Sequence, residues 1–142
     1  MILIDANIPV IAIDKGNHSH GQVRRWFEET LNGTEAVRFT WVNLLAFIRI
    51  TTSSRIMAEP LTMIAALSYV NQWLALPVAG VIEPPDGHLA GLSGVCEDAQ
   101  VRGPLVMDAH LAALAMHHGA VVASTDRDFR RFPGLRLVNP LD

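Results

Sequence analysis

Short apolar runs alternate with amphipathic stretches along this chain, and several of the runs stop at an acid. Met1 to Ile4 reads as a strand that ends at Asp5. Val23, Trp26, Phe27 and Leu31 recur at helical spacing, with Arg24, Arg25, Glu28 and Glu29 on the opposite face. Val37 to Val42 reads as a second strand feeding a helix near Asn43 to Ile50. Met63, Leu67, Val70 and Leu74 mark another helix, with Pro60 near its start, and Val78 to Ile82 a short strand. Leu89, Leu92, Cys96 and Ala99 mark the next helix. Leu105-Val106-Met107 leads to Asp108, which opens a helix that Gly119 closes after His118. Ala120 to Ala123 and Arg136 to Val138 are the last strands. Strands alternating with helices predict an α/β domain whose mainly parallel sheet is covered on both faces. No linker or repeat divides the chain, so residues 1–142 are read as one domain.

That pattern gives the acids a common address. Asp5, Asp108, Asp126 and Asp128 each follow an apolar run, the last two after Val121-Val122-Ala123-Ser124-Thr125. Ligands of open α/β sheets bind outside the carboxyl ends of the strands. Carboxylates spread over the sequence can therefore converge there, and a cation best relieves their repulsion. Oxygen ligands point to Mg2+ or Mn2+.

Composition narrows the classes. Half of the residues are hydrophobic and 18% are charged, which excludes a disordered chain. A single cysteine, Cys96, excludes an internal disulfide and argues against a Cys/His zinc site; a reducing cytoplasm is expected. No signal peptide is expected, because Asp5 interrupts the opening apolar run. Pro60 to Ile82 carries no charge, but Asn71, Gln72, Pro77 and Gly80 break it, so no membrane span is expected. The net charge of −3 does not announce a nucleic-acid binder. Of the eleven basic residues only Lys15 is lysine, and arginine suits phosphate, although a GC-rich coding sequence gives the same bias.

Each candidate has a purely structural reading. Asp5 fits a turn, Asp108 a helix first turn and Ser124 to Phe129 a tight turn. Three such sites at strand ends favour the metal reading over any one alone. His18 and His20 lie in a loop, His117 and His118 at a helix end, and His88 and His110 stand alone, so no histidine metal site is expected. No nucleophile motif or glycine-rich phosphate loop is present. Trp26, Trp41 and Trp73 fit apolar faces and are expected in the core.

Ile2-Leu3-Ile4-Asp5-Ala6-Asn7 resembles the opening of PIN-domain ribonucleases, in particular the VapC-type toxins of bacterial toxin–antitoxin pairs. Asp108 to Ala115, Gly119-Ala120, Ser124-Thr125-Asp126-Arg127-Asp128-Phe129, and Pro133-Gly134-Leu135 to Asn139-Pro140 resemble that family's C-terminal half. The resemblance implies a three-layer α/β/α sandwich and Mg2+- or Mn2+-dependent endoribonuclease activity. It also implies a homodimer and inhibition by a cognate antitoxin. Asp5, Asp108 and Asp126 match the family's metal-binding acids, Asp128 a more variable one, and Asn7 and Ser124 the polar residues that orient them. The family usually adds a glutamate in the helix after the second strand. Here Trp41 to Arg49 holds no acid, and Ala46 is assigned to that position, which puts a second metal, or tight binding of the first, in question.

The chemistry expected is in-line attack by a metal-activated water, oriented by Asp126 or Asp128, leaving a 5′-phosphate and a 3′-hydroxyl. Arg127, Arg130 and Arg131 are candidates for RNA phosphates, with a solvated basic turn as the alternative. Looped or single-stranded RNA is the expected substrate form. Two other classes remain open: a catalytically weak PIN domain that only binds RNA or a partner, and a receiver- or phosphatase-type domain. The second lacks the late lysine a receiver wants.

Overall fold

The computed structural model describes residues 1–142. Five strands, β1 (Ile2–Ile4), β2 (Val37–Phe39), β3 (Ala79–Val81), β4 (Val121–Ala123) and β5 (Arg136–Val138), form one sheet in the order β3-β2-β1-β4-β5. Every pairing is parallel. Six helices connect them: α1 (Asn7–Ile13), α2 (His20–Leu31), α3 (Trp41–Thr51), α4 (Met63–Leu74), α5 (His88–Ala99) and α6 (Val106–His118).

Strand alternation separates two cores. Ile4, Val37, Phe39 and Ala123 face a 13-residue cluster built with α1 to α4. Leu3 and Val122 face the other way, into a 9-residue cluster with α6, Phe129 and Phe132, against which α5 lays Leu92, Val95, Cys96 and Ala99. The result is the three-layer α/β/α sandwich, with a fully parallel sheet.

The chain runs from central β1 outward through β2 to β3, then crosses to build β4 and β5 on the other side. The order therefore reverses between β1 and β4. A crevice opens at such a point, outside the carboxyl ends of the strands. Asp5 follows β1, and Ser124 and Asp126 follow β4.

Several expectations need correction. β2 stops at Phe39, not Val42, because Thr40 caps α3: its Oγ1 accepts the Asn43 N–H at 3.1 Å. Trp41 is consequently on the first turn of a helix and 48% exposed, not in the core. Trp73 is buried and Trp26 half-buried. α4, by contrast, runs Met63–Leu74 as its apolar spacing marks, behind a Thr62 cap whose Oγ1 accepts the Ala65 N–H at 3.1 Å. α6 begins at Val106, which puts Asp108 in its first turn. His20 begins α2 and its Nδ1 meets the Ile11 carbonyl at 2.9 Å. His88 and His110 do not stand alone: packing of α5 on α6 brings Nε2 of one to 2.8 Å from Nδ1 of the other. No helix is long and apolar enough to cross a membrane.

Candidate metal centre

The crevice is assembled from the ends of β1 and β4 and the first turn of α6. Asp5 sits deepest. Its Oδ1 accepts the Ala6 N–H at 2.8 Å, and its Oδ2 accepts the Ser124 hydroxyl at 2.6 Å. The Ser124 oxygen in turn accepts Asn7 Nδ2 at 3.2 Å and the Asp126 N–H at 3.0 Å. One buried hydroxyl thus ties the strand end that carries Asp5 to the turn that carries Asp126. Asn7 closes the loop by accepting the Thr125 N–H at 3.4 Å. Asp126 caps the short helical turn Arg127–Arg131, with Oδ1 accepting the Asp128 N–H at 2.9 Å.

Asp108, Asp126 and Asp128 each present a carboxylate oxygen such that all three oxygens lie within 4.8 Å of one another. Asp5 is not part of this trio, and each of its oxygens accepts one hydrogen bond. The structure therefore brings together all four expected acids: Asp108, Asp126 and Asp128 form the set within 4.8 Å, and Asp5 is electrostatically coupled to Asp108 and Asp126. Sequence order alone does not single out that set.

The electrostatics follow from that packing. Burial pushes the Asp5 carboxyl up from its ordinary value, against the pull of the Ser124 and Ala6 hydrogen bonds, and Asp126 adds repulsion. Asp108 is pushed up to about 6, first by burial and then by Asp5, Asp126 and Asp128; Arg131 opposes the shift. These carboxylates offer only hard oxygen donors and repel one another without a counter-charge. That donor chemistry fits Mg2+ or Mn2+ and does not suit a soft metal.

Arg131 is thus electrostatically linked to the centre. Arg127 is exposed beside it, and Arg130 makes an exposed 3.8 Å pair with Asp142. Asn43 escaped sequence reasoning. Its Nδ2 donates to the Ile4 carbonyl at 3.0 Å and hooks α3 onto the end of β1. An asparagine in the first turn after a strand end is the signal that pointed to it. A cavity of about 650 Å³ continues from the acids; Asp5, Asp108, Asn43 and Ala46 all line it. Ala46 therefore does face the centre.

Residues 2–135 match the family described as PIN domain. Ribonuclease VapC37 of Mycobacterium tuberculosis is 39% identical over 99% of this chain and 97% of its own length. Ribonuclease VapC33 of the same organism is 33% identical over 99% of both chains. Among solved structures, VapBC2 of Rickettsia felis, bound to a DNA fragment from its promoter, superposes with a TM-score of 0.71 at 17% identity, covering 98% of each chain. Mycobacterium tuberculosis VapC20, described as a sarcin–ricin loop cleaving toxin, superposes with a TM-score of 0.67 at 17% identity, covering 96% of this chain and 99% of that one. Those two likenesses concern the fold. Family match, full-length identity and the acids at the β1–β4 switch agree: the chain belongs to the PIN-domain family, in its VapC branch.

Proposed function

We propose that this chain is a metal-dependent endoribonuclease and the toxin of a toxin–antitoxin pair. The observation that carries the reading is the convergence of Asp108, Asp126 and Asp128 at the switch crevice, in a chain whose full-length relatives are named ribonucleases. Asp108, Asp126 and Asp128, backed by Asp5, would hold Mg2+ or Mn2+. Such an ion, when bound, polarises a phosphodiester oxygen and lowers the pKa of a bound water.

The chain's own residues supply the rest. Ser124 fixes Asp5 and the Asp126 backbone in one geometry, so the acids need no reorganisation when substrate arrives. Asp126 or the exposed Asp128 would orient the attacking water. Asp108 holds its proton up to about pH 6 and must release it to become a ligand, so metal binding weakens in acid. Arg127, Arg130 and Arg131 follow Asp126 in the chain, Arg131 acts electrostatically on Asp108, and all three suit RNA phosphates.

An antitoxin partner is supported by the solved neighbours, several of which are toxin–antitoxin complexes. Met63, Ile64 and Leu67 form an exposed apolar stripe on α4, with Ile64 83% exposed. A homodimer or the antitoxin would cover it.

The test is cleavage of a looped RNA by inhibitor-free protein. Mg2+ or Mn2+ should support it, EDTA should stop it, and the new ends should be a 5′-phosphate and a 3′-hydroxyl. Asp5→Ala should abolish it in protein that remains folded. Undiminished cleavage by that variant, or by wild type in EDTA, overturns the reading.

A further inference from the structure

The cavity that begins at the acids does not end with them. It runs between α3 and α6 along a wall that includes Val42, Leu45 and Met107, and Arg49 also lines it. Leu45 is 59% and Met107 54% exposed, although both are large apolar side chains. Val42, Leu45, Ala46 and Arg49 recur at three- and four-residue spacing, so one stripe of α3 faces the cavity. Asn43 pins one end of that stripe to the Ile4 carbonyl, beside Asp5. Arg49, six residues on, stands about 9 Å farther along the helix axis.

Arg49 is the one arginine that lines this cavity, and it has no partner there. The three ion pairs of the molecule do not include it, and its guanidinium makes no hydrogen bond, although two carboxylates line the same cavity. The cavity therefore presents three chemistries in sequence: acids suited to a cation, an apolar wall and an unpaired planar cation. An RNA strand carries the complementary series. A phosphate bridges to a metal, an unstacked base needs an apolar surface, and a neighbouring phosphate needs a fork of N–H donors. Ala46 keeps the passage between the two ends open, where a longer side chain would stand across it.

We propose that the α3–α6 cavity seats one unstacked RNA nucleotide adjacent to the cleaved bond, with Arg49 on a phosphate and Val42, Leu45 and Met107 against the base. This rests on the ribonuclease reading above. A cation in the last turn of a helix also favours the helix dipole, but that role predicts a small change in stability and nothing about substrate.

Cleavage kinetics of a single-stranded RNA, measured at several salt concentrations with Mn2+, separate the possibilities. Arg49→Ala should raise KM about tenfold with kcat nearly unchanged, and should flatten the plot of log KM against log salt by about 0.7, one phosphate contact of a single strand. Arg49→Lys should restore most of the salt slope but not all of the affinity, because it keeps the charge and loses the fork. The double variant Leu45→Ala/Met107→Ala should raise KM severalfold and leave the slope alone, since it removes contact and no charge. Both are exposed positions, so folding should survive, and calorimetric titration of Mn2+ should give wild-type affinity for all three proteins. Unchanged KM and slope in Arg49→Ala, with wild type cleaving normally, overturns the subsite and leaves the ribonuclease reading standing. No cleavage by wild type with any divalent metal overturns both.

Discussion

The aromatic core around Trp73 and the acidic crevice at the β1–β4 switch are built on opposite principles. Trp73 meets Phe47 at 4.8 Å and Phe27 at 5.3 Å edge-on, and stacks near Phe39 at 6.1 Å. Each of those rings lowers the energy of the others and of the fold. In the crevice every added acid raises the energy of its neighbours, and burial worsens it. The first region stabilises the fold, and the second stores a binding potential for a cation at the fold's expense. They share strand β1, whose Ile4 joins the aromatic cluster while the next residue, Asp5, opens the acidic one.

The sharpest way to break the comparison is to damage each region alone. Trp73→Ala should cost about 3–5 kcal/mol of stability, a large part of a domain's usual 5–15 kcal/mol. Whatever fraction stays folded should cleave RNA with a normal KM, because the crevice does not touch Trp73. Urea unfolding followed with cleavage assays on the same samples checks both halves. A KM that rises in step with the loss of stability would mean that the two regions are coupled through β1.

Asp108→Asn should do the reverse. Cleavage should vanish, yet the metal-free protein should melt at a higher temperature than wild type near pH 7. The sign follows from the raised pKa. Asp108 carries its proton up to about pH 6 in the folded chain, against an ordinary value of 3.8. An acid shifted upward favours folding while protonated and loses that contribution as pH rises. Metal-free wild type should therefore lose stability at this site between about pH 4 and pH 6, and asparagine should not. Melting curves of both proteins across that range, in EDTA, give the difference directly. Adding Mn2+ at pH 7 should close the gap by stabilising wild type alone. A variant that melts lower at every pH would mean that Asp108 is held by favourable contacts, not by strain.

The same contrast explains how far the sequence could be read. Strand ends and the acids after them were visible, because an apolar run meeting Asp5 or Asp126 is a local pattern. All five strands and the layer arrangement followed from alternation. Helix α1 went unread: Asn7 to Ile13 is seven residues, nearly all apolar, with Pro9 in its first turn and no capping side chain, so no periodicity marks it. Trp41 and Val42 have strand propensity, but the Thr40 cap decides for a helix. The His88–His110 contact and the exposed wall beside Arg49 depend on how α5 and α3 meet α6. Such tertiary placement leaves no trace in spacing. Nor does spacing show that Asp128 brings an oxygen within 4.8 Å of Asp108 and Asp126, while Ser124 fixes an oxygen of Asp5.

That last difference makes Ala46 the finest probe of the crevice. Ala46 lines the cavity with Asp5 and Asp108, and the resemblance assigns it to the position of the family's usual glutamate. Ala46→Glu would add a fourth or fifth carboxylate to the cation's surroundings, and each acid beside a cation contributes more than a screened surface pair. Mn2+ affinity should then rise about tenfold in calorimetric titration, while the metal-free protein becomes slightly less stable from the extra repulsion. The new carboxylate has a second suitor, because Arg49 lies three residues on, on the same helical face. Pairing with Arg49 would hold the glutamate away from the cation and neutralise the charge proposed to bind RNA. The double variant Ala46→Glu/Arg49→Ala resolves the competition. If Mn2+ binds tighter to the double variant than to Ala46→Glu, Arg49 was drawing the glutamate off. Equal Mn2+ affinity in wild type and both variants would mean that Asp128, already within 4.8 Å of Asp108 and Asp126, fills the role of the absent acid.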